Sequence, residues 1–74
     1  MEAQDVRGAR LLLERAVGDG DATAALYLGE TYDPKYLPQG LKGQADRVRA
    51  RELYTRAQAA GLAEAAPRLA GLKE

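Results

Sequence analysis

Residues 9–28 and 50–69 are two versions of one text. ARLLLERAVGDGDATAALYL returns 41 residues later as ARELYTRAQAAGLAEAAPRL, with ten identical pairs: Ala9/Ala50, Arg10/Arg51, Leu12/Leu53, Arg15/Arg56, Ala16/Ala57, Gly20/Gly61, Ala22/Ala63, Ala24/Ala65, Ala25/Ala66 and Leu28/Leu69. A fixed period between roughly 20 and 50 residues marks a chain of repeated supersecondary units, each burying its apolar face only against its neighbours. The echo therefore restricts the fold more than any other feature. Whatever the first copy forms, the second must form too, and the two must pack.

The residue types decide what that unit is. Of 74 residues, 15 are Ala, 11 Leu, 4 Tyr and 3 Val, and Ile, Phe and Trp are absent. Ala and Leu lead the helix-propensity scale, while the β-branched and aromatic residues that strands prefer are scarce. The expected fold is all-α, with helices at close approach around a thin core, because a chain this short buries only about 60–65% of its unfolded surface. The chain has no Cys, His or Ser. That removes disulfides, thiolate and imidazole metal ligands and the usual nucleophile–base pairs, so neither a catalytic set nor a cofactor is expected. No apolar run reaches the roughly 20 residues of a membrane span, and MEAQDVRGAR lacks a signal peptide's apolar stretch. The compartment stays open.

Helix periodicity and punctuation give the element order. A first helix is expected from Asp5, a capable N-cap, to about Val17, with Ala9, Leu12, Leu13 and Ala16 inward. Gly18 and Gly20 end it, and Asp21 caps a second helix from about Ala22 to Tyr32, with Ala25, Leu28, Gly29 and Tyr32 on one face. Two prolines and two glycines make residues 33–45 a loop, in which Tyr36, Leu37 and Leu41 should fold back as a small lid. Asp46 is the next N-cap, for a third helix to about Ala60 with Ala50, Leu53, Tyr54 and Ala57 inward. Gly61 ends it. A fourth helix is expected from about Ala63 to Leu72, starting late or bending at Pro67, which belongs in a first helical turn. Leu12, Tyr32 and Tyr54 read as core, so Leu12→Ala should remove about 2–5 kcal/mol. The domain organisation is a single unit over 1–74, with repeats at about 5–32 and 46–72.

The run Ala9, Leu13, Arg15-Ala16, Gly20, Ala24, Leu28-Gly29 and Tyr32, restarting through Asp46, Ala50, Tyr54, Arg56-Ala57, Gly61, Ala65 and Leu69, resembles the Sel-one-like repeat. This family is related to the tetratricopeptide repeat, and the 41-residue period suits it better than the 34-residue tetratricopeptide unit. The resemblance implies two helix-turn-helix repeats in a short right-handed α-solenoid, acting as a protein–protein interaction adaptor without enzymatic activity, in bacteria often within envelope, signalling or secretion systems. The Pro-containing loop and Pro67 depart from the family pattern. Since such arrays usually need about three units, a two-unit chain is expected as a fragment or C-terminal portion of a longer protein, as a capping segment, or as a self-associating one.

Opposite the expected core stripe of the first helix lie Arg7, Leu11, Glu14 and Gly18, and on the third helix Val48, Glu52, Thr55 and Ala59 take the matching places. Leu11 and Val48 are apolar where the pattern predicts solvent. One reading is a groove for a protein or peptide, with Leu11 and Val48 giving contact area and Arg7, Glu14 and Glu52 orienting the partner. The other has Leu11 packing on an upstream unit and Val48 on the 33–45 loop. Tyr27, on the polar side of the second helix, is a further candidate binding residue. Arg47, Arg49, Arg51 and Arg56 raise a nucleic-acid reading, which zero net charge and the lack of interleaved aromatics oppose. Asp19 and Asp21 around Gly20 lack the ligand spacing of a calcium loop and read as caps. Residues 1–32 carry three Arg against six acids, a balance of −3, and residues 33–74 eight basic residues against five acids, a balance of +3. That asymmetry reads first as ordinary solvated faces, and alternatively as head-to-tail attraction between neighbouring copies or units.

Overall fold

The computed structural model describes residues 6–72, which form four α-helices and one 3₁₀ helix, with no strand among them. Helix α1 spans Val6–Gly18, α2 Ala22–Tyr32, α3 Arg47–Ala59 and α4 Ala65–Gly71. The expected N-cap at Asp5 lies outside the described residues. Helices α1 and α3 have equal length and begin and end 41 residues apart. The turns after them repeat as well. Gly20 and Gly61 are the positive-φ residues, at 90° and 96°. In the first turn Gly20 N–H donates to the Val17 carbonyl at 2.9 Å and Asp21 N–H to the Ala16 carbonyl at 3.1 Å; in the second, Gly61 N–H donates to Gln58 at 2.9 Å and Leu62 N–H to Ala57 at 3.1 Å. This is the paired bonding by which a left-handed residue satisfies the last carbonyls of a helix, and only glycine adopts it without strain.

The next helix is then started by a carboxylate in α2 and α3. Asp21 accepts from Ala24 N–H at 3.1 Å and Asp46 from Arg49 N–H at 3.0 Å, each quieting one of the unpaired donors of a helix N-terminus. Helix α4 starts late, which leaves Pro67 in its first turn, where its missing N–H is harmless.

Helix α2 is the centre of the molecule, packed against α1 on one side and α3 on the other, with α4 resting on α3. Ala24, Ala25, Leu26, Leu28 and Gly29 are buried along it. The close approach to α3 rests on one glycine. A Cβ on Gly29 would stand 2.6 Å from the Tyr54 ring, so the ring occupies the space a side chain would fill. Tyr54 is fully buried, and its hydroxyl donates to the Asp33 carboxylate at 2.9 Å.

The α1 stripe differs from expectation. Leu12 is 70% exposed, and the buried residues of this helix are Val6 and Val17, with Arg10, Leu13 and Ala16 partly buried beside them. The helix is turned toward the stripe 6, 10, 13, 17. Arg10 explains the turn. Its guanidinium donates to the Thr31 carbonyl, to Thr31 Oγ1 at 3.2 Å and to the Gln44 carbonyl at 3.0 Å, and it lies 3.8 Å from the centre of the Tyr32 ring. A cation thus holds the C-terminal end of α2, where the helix dipole favours it. Tyr32, expected in the core, is only partly buried beneath this guanidinium.

The 33–45 loop contains a 3₁₀ helix, Gln39–Gln44, that its composition did not announce. Asp46 N–H donates to the Tyr32 carbonyl at 2.8 Å, so the loop closes on itself. Lys42 Nζ donates to the Pro34 and Leu37 carbonyls inside it. Leu37 is buried and Leu41 partly so, while Tyr36 stays 42% exposed.

Gly29→Ala is expected to lower stability by about 1–3 kcal/mol through overpacking on Tyr54, despite alanine's better helix propensity. Gly8→Ala, in α1 with nothing within 4 Å of the added Cβ, should instead raise it by about 0.5–1 kcal/mol. Urea titrations of the two variants against wild type check the contrast.

Candidate functional site

An open groove of about 480 Å³ runs between α1 and α2, lined by Ala9, Leu12, Leu13, Tyr27, Glu30, Thr31 and Tyr36. Its walls follow from the fold. Turning α1 toward Val6, Arg10, Leu13 and Val17 leaves Leu12 facing outward, with Ala9 and Leu13 half-buried along the seam. Tyr27 projects from the outer side of α2, half exposed, and Tyr36 rises from the closed loop. Beside the groove, Glu30 accepts from Arg68 Nε at 2.6 Å, and the Arg68 guanidinium lies 5.5 Å from the Tyr36 ring centre. The loop, α2 and α4 are joined there by one carboxylate–guanidinium–aromatic contact. The groove is apolar with a charged rim, which suits an apolar side of a peptide or helix better than a small polar molecule.

The 41-residue echo gives this surface its meaning. Ala9, Leu12 and Leu13 correspond to Ala50, Leu53 and Tyr54 of α3, which lie at 0%, 3% and 0% exposure. On α1 the equivalent places are incompletely covered: Leu12 is exposed and Ala9 and Leu13 are half-buried.

The residues expected to bind are all at the surface, but they do not form one site. Arg7, Leu11 and Glu14 are exposed on α1, and Val48 and Glu52 on α3. Of three open cavities among the described residues, none is lined by any of these five. Leu11 and Val48 stand 69% and 63% exposed, which rules out packing of Val48 on the 33–45 loop. Glu52 is turned to Arg49 at 3.6 Å, an exposed pair on its own helix. Tyr27 alone joins the groove. Sequence reasoning placed Ala9, Leu12 and Leu13 in the core; Leu13 does pack partly against it, whereas Leu12 is exposed and Ala9 half-buried, because periodicity marks a shared face and carries no signal of what covers it.

The arginines of α3 divide. Arg49 sits 5.9 Å from the Tyr32 ring centre and pairs with Glu52, and Arg56 lines the cavity at the first turn. Among the described residues no group of three carboxylates comes together to hold a metal ion, and no helix is long and apolar enough to cross a membrane.

Behind the groove, the loop carrying Tyr36 is tied to the core through Asp33. One Asp33 oxygen accepts from Lys35 N–H at 2.9 Å, and the other takes the Tyr54 hydroxyl. Burial, and then the neighbouring Asp33 carboxylate, push the Tyr54 phenol far above its ordinary value of 10.0. With the folded value raised, this contribution to stability is complete below pH 10 and is lost as pH climbs past it, because the unfolded tyrosine ionises first. Tyr54→Phe is therefore expected to lower stability at neutral pH by about 1–3 kcal/mol, leaving Asp33 short of a partner, and to flatten the decline in urea midpoint between about pH 9 and pH 11. Equal alkaline slopes in the two proteins would show that Tyr54 is not the group responsible. The unequal fates of equivalent leucines give a second check. Leu53→Ala should remove about 2–5 kcal/mol, whereas Leu12→Ala should stay within about 0.5 kcal/mol of wild type, as thermal melts will report. No protein-family model, curated protein or solved structure is significantly similar to the chain.

Proposed function

We propose that the chain is a protein-interaction module of the helical-repeat adaptor kind, without catalytic activity of its own, that receives an amphipathic helix of a partner in the groove between α1 and α2. The two hairpins are read as consecutive units of a right-handed solenoid, in line with the resemblance to Sel-one-like repeats. One observation carries the proposal. Ala50, Leu53 and Tyr54 of α3 are buried, with Tyr54 standing against Gly29 of α2, while their equivalents Ala9, Leu12 and Leu13 line an apolar groove. A surface of this pattern is already seen to accept a helix once in the same chain. Recognition would follow the helix-in-groove mode, with small residues of the incoming helix allowing close approach and the half-exposed Tyr27 and Tyr36 adding aromatic contact at the rim. The absence of Ser, Cys and His supports binding over chemistry.

A peptide of residues 21–33, held helical by a side-chain bridge between positions 23 and 27, provides the test; both positions are exposed in the folded chain. Titrated into isotope-labelled protein, it is expected to shift the amide signals of Ala9, Leu12 and Leu13. Leu12→Glu should abolish those shifts and Leu11→Glu should leave them. Shifts confined to Leu11 and Val48 would move the site to the other stripe of α1 and α3, and no shift at millimolar peptide would reject a helix-binding groove.

A further inference from the structure

Resting on that reading of the groove, we infer that its occupant is α4 of a second copy of this chain, so that copies join head to tail. The echo assigns the residues. Ala66, Leu69 and Ala70 of α4 correspond to Ala25, Leu28 and Gly29 of α2. In α2 these three are buried, and Gly29 is the position against which Tyr54 of α3 stands. In α4, Ala66 and Ala70 are exposed and Leu69 is half-buried. The small-residue face that α2 turns to its neighbour is therefore present again on α4, with Ala66 and Ala70 exposed and Leu69 only partly covered by its own core.

The chain thus contains the α2–α3 interface once in full, and each of its two halves once more alone: the receiving half on α1 as Ala9, Leu12 and Leu13, the entering half on α4 as Ala66, Leu69 and Ala70. α4 lines no part of the groove in its own chain. Joining α4 of one copy to α1 of the next continues the interface already made between the hairpins, with Ala70 set against Leu13 where Gly29 is set against Tyr54. Leucine is narrower than tyrosine across this contact, and alanine is larger than glycine by one methyl, so the two substitutions compensate in volume. The contact uses two different patches, so it is heterologous and adds copies in line unless the rotation closes a ring.

Sedimentation velocity across the micromolar to millimolar range tests this. Wild type is expected to gain mass with concentration, through dimer to larger species. Leu12→Glu blocks the receiving face and Ala70→Glu the entering face; both sites are exposed, and circular dichroism melts verify that the variants fold. Each variant alone should remain monomeric. An equimolar mixture should give a species of twice the monomer mass and nothing larger, since one open face of each kind remains. Wild type that stays monomeric throughout overturns the inference, as does an Ala70→Glu variant that still dimerises, which would mean that the α1 face pairs with itself. A monomeric wild type whose groove still binds the bridged 21–33 peptide would overturn only the choice of occupant, whereas failure of both would remove the groove reading itself.

Discussion

The distance between α2 and α3 depends on a ring lying over a glycine. Tyr54 fills the space above Gly29, and its hydroxyl reaches past the end of α2 to Asp33. A larger residue at position 29 pushes the helices apart, and a tyrosine drawn back from α2 loses its acceptor. The same carboxylate receives the Lys35 amide, so the direction in which the chain leaves α2 is set from within the core. Every buried side-chain polar atom among the described residues has a partner, and this buried pair is one such case. In a medium of low polarity such a bond specifies position strongly, because neither group has water to fall back on. The loop that begins at Asp33 then carries Tyr36 to the groove, which links the helix spacing to that surface in three steps.

Arg10 governs the other side of α2. Its long side chain runs inward, its guanidinium closes the carbonyls of Thr31 and Gln44, and its planar face lies on Tyr32. An arginine serves here as a core element because the end of a helix offers acceptors and a favourable dipole, and because an aromatic ring tolerates the cation. Turning Arg10 inward turns α1, and turning α1 exposes Leu12. The open groove is thus a consequence of the clamp at the end of α2.

Most of the element order was legible in the sequence. Glycines at 20 and 61 and aspartates at 21 and 46 act through local geometry, and a local cause can be read from a local pattern. The α3 stripe of Ala50, Leu53, Tyr54 and Ala57 was legible too, because a neighbour exists to cover it. Leu12 failed for the opposite reason. It stands at the same place in the same pattern as Leu53, and periodicity reports which residues share a face without reporting whether anything lies against it. The 3₁₀ helix at Gln39–Gln44 was hidden because what holds its loop is made elsewhere, by Arg10 and by the bond from Asp46 to Tyr32. Arg7, Leu11 and Glu14 were chosen by opposition to a stripe that lies one step around α1 from where periodicity put it, whereas Val48 and Glu52 stand opposite an α3 stripe that is buried as expected.

An uncovered stacking face also bears on stability. A leucine moved from water to an apolar contact contributes about 1.5–3 kcal/mol, and a domain of this size has only about 5 kcal/mol or a little more in hand. Leaving Leu12 and its neighbours in water therefore withholds an appreciable share of what the fold could have. Whatever covers that face stabilises the folded chain in proportion to the logarithm of its concentration over its dissociation constant, since an unfolded chain presents no such face. Any ligand of that face would therefore bind and stabilise the fold together, because the residues concerned on α1 are those whose counterparts in α3 are buried in the core.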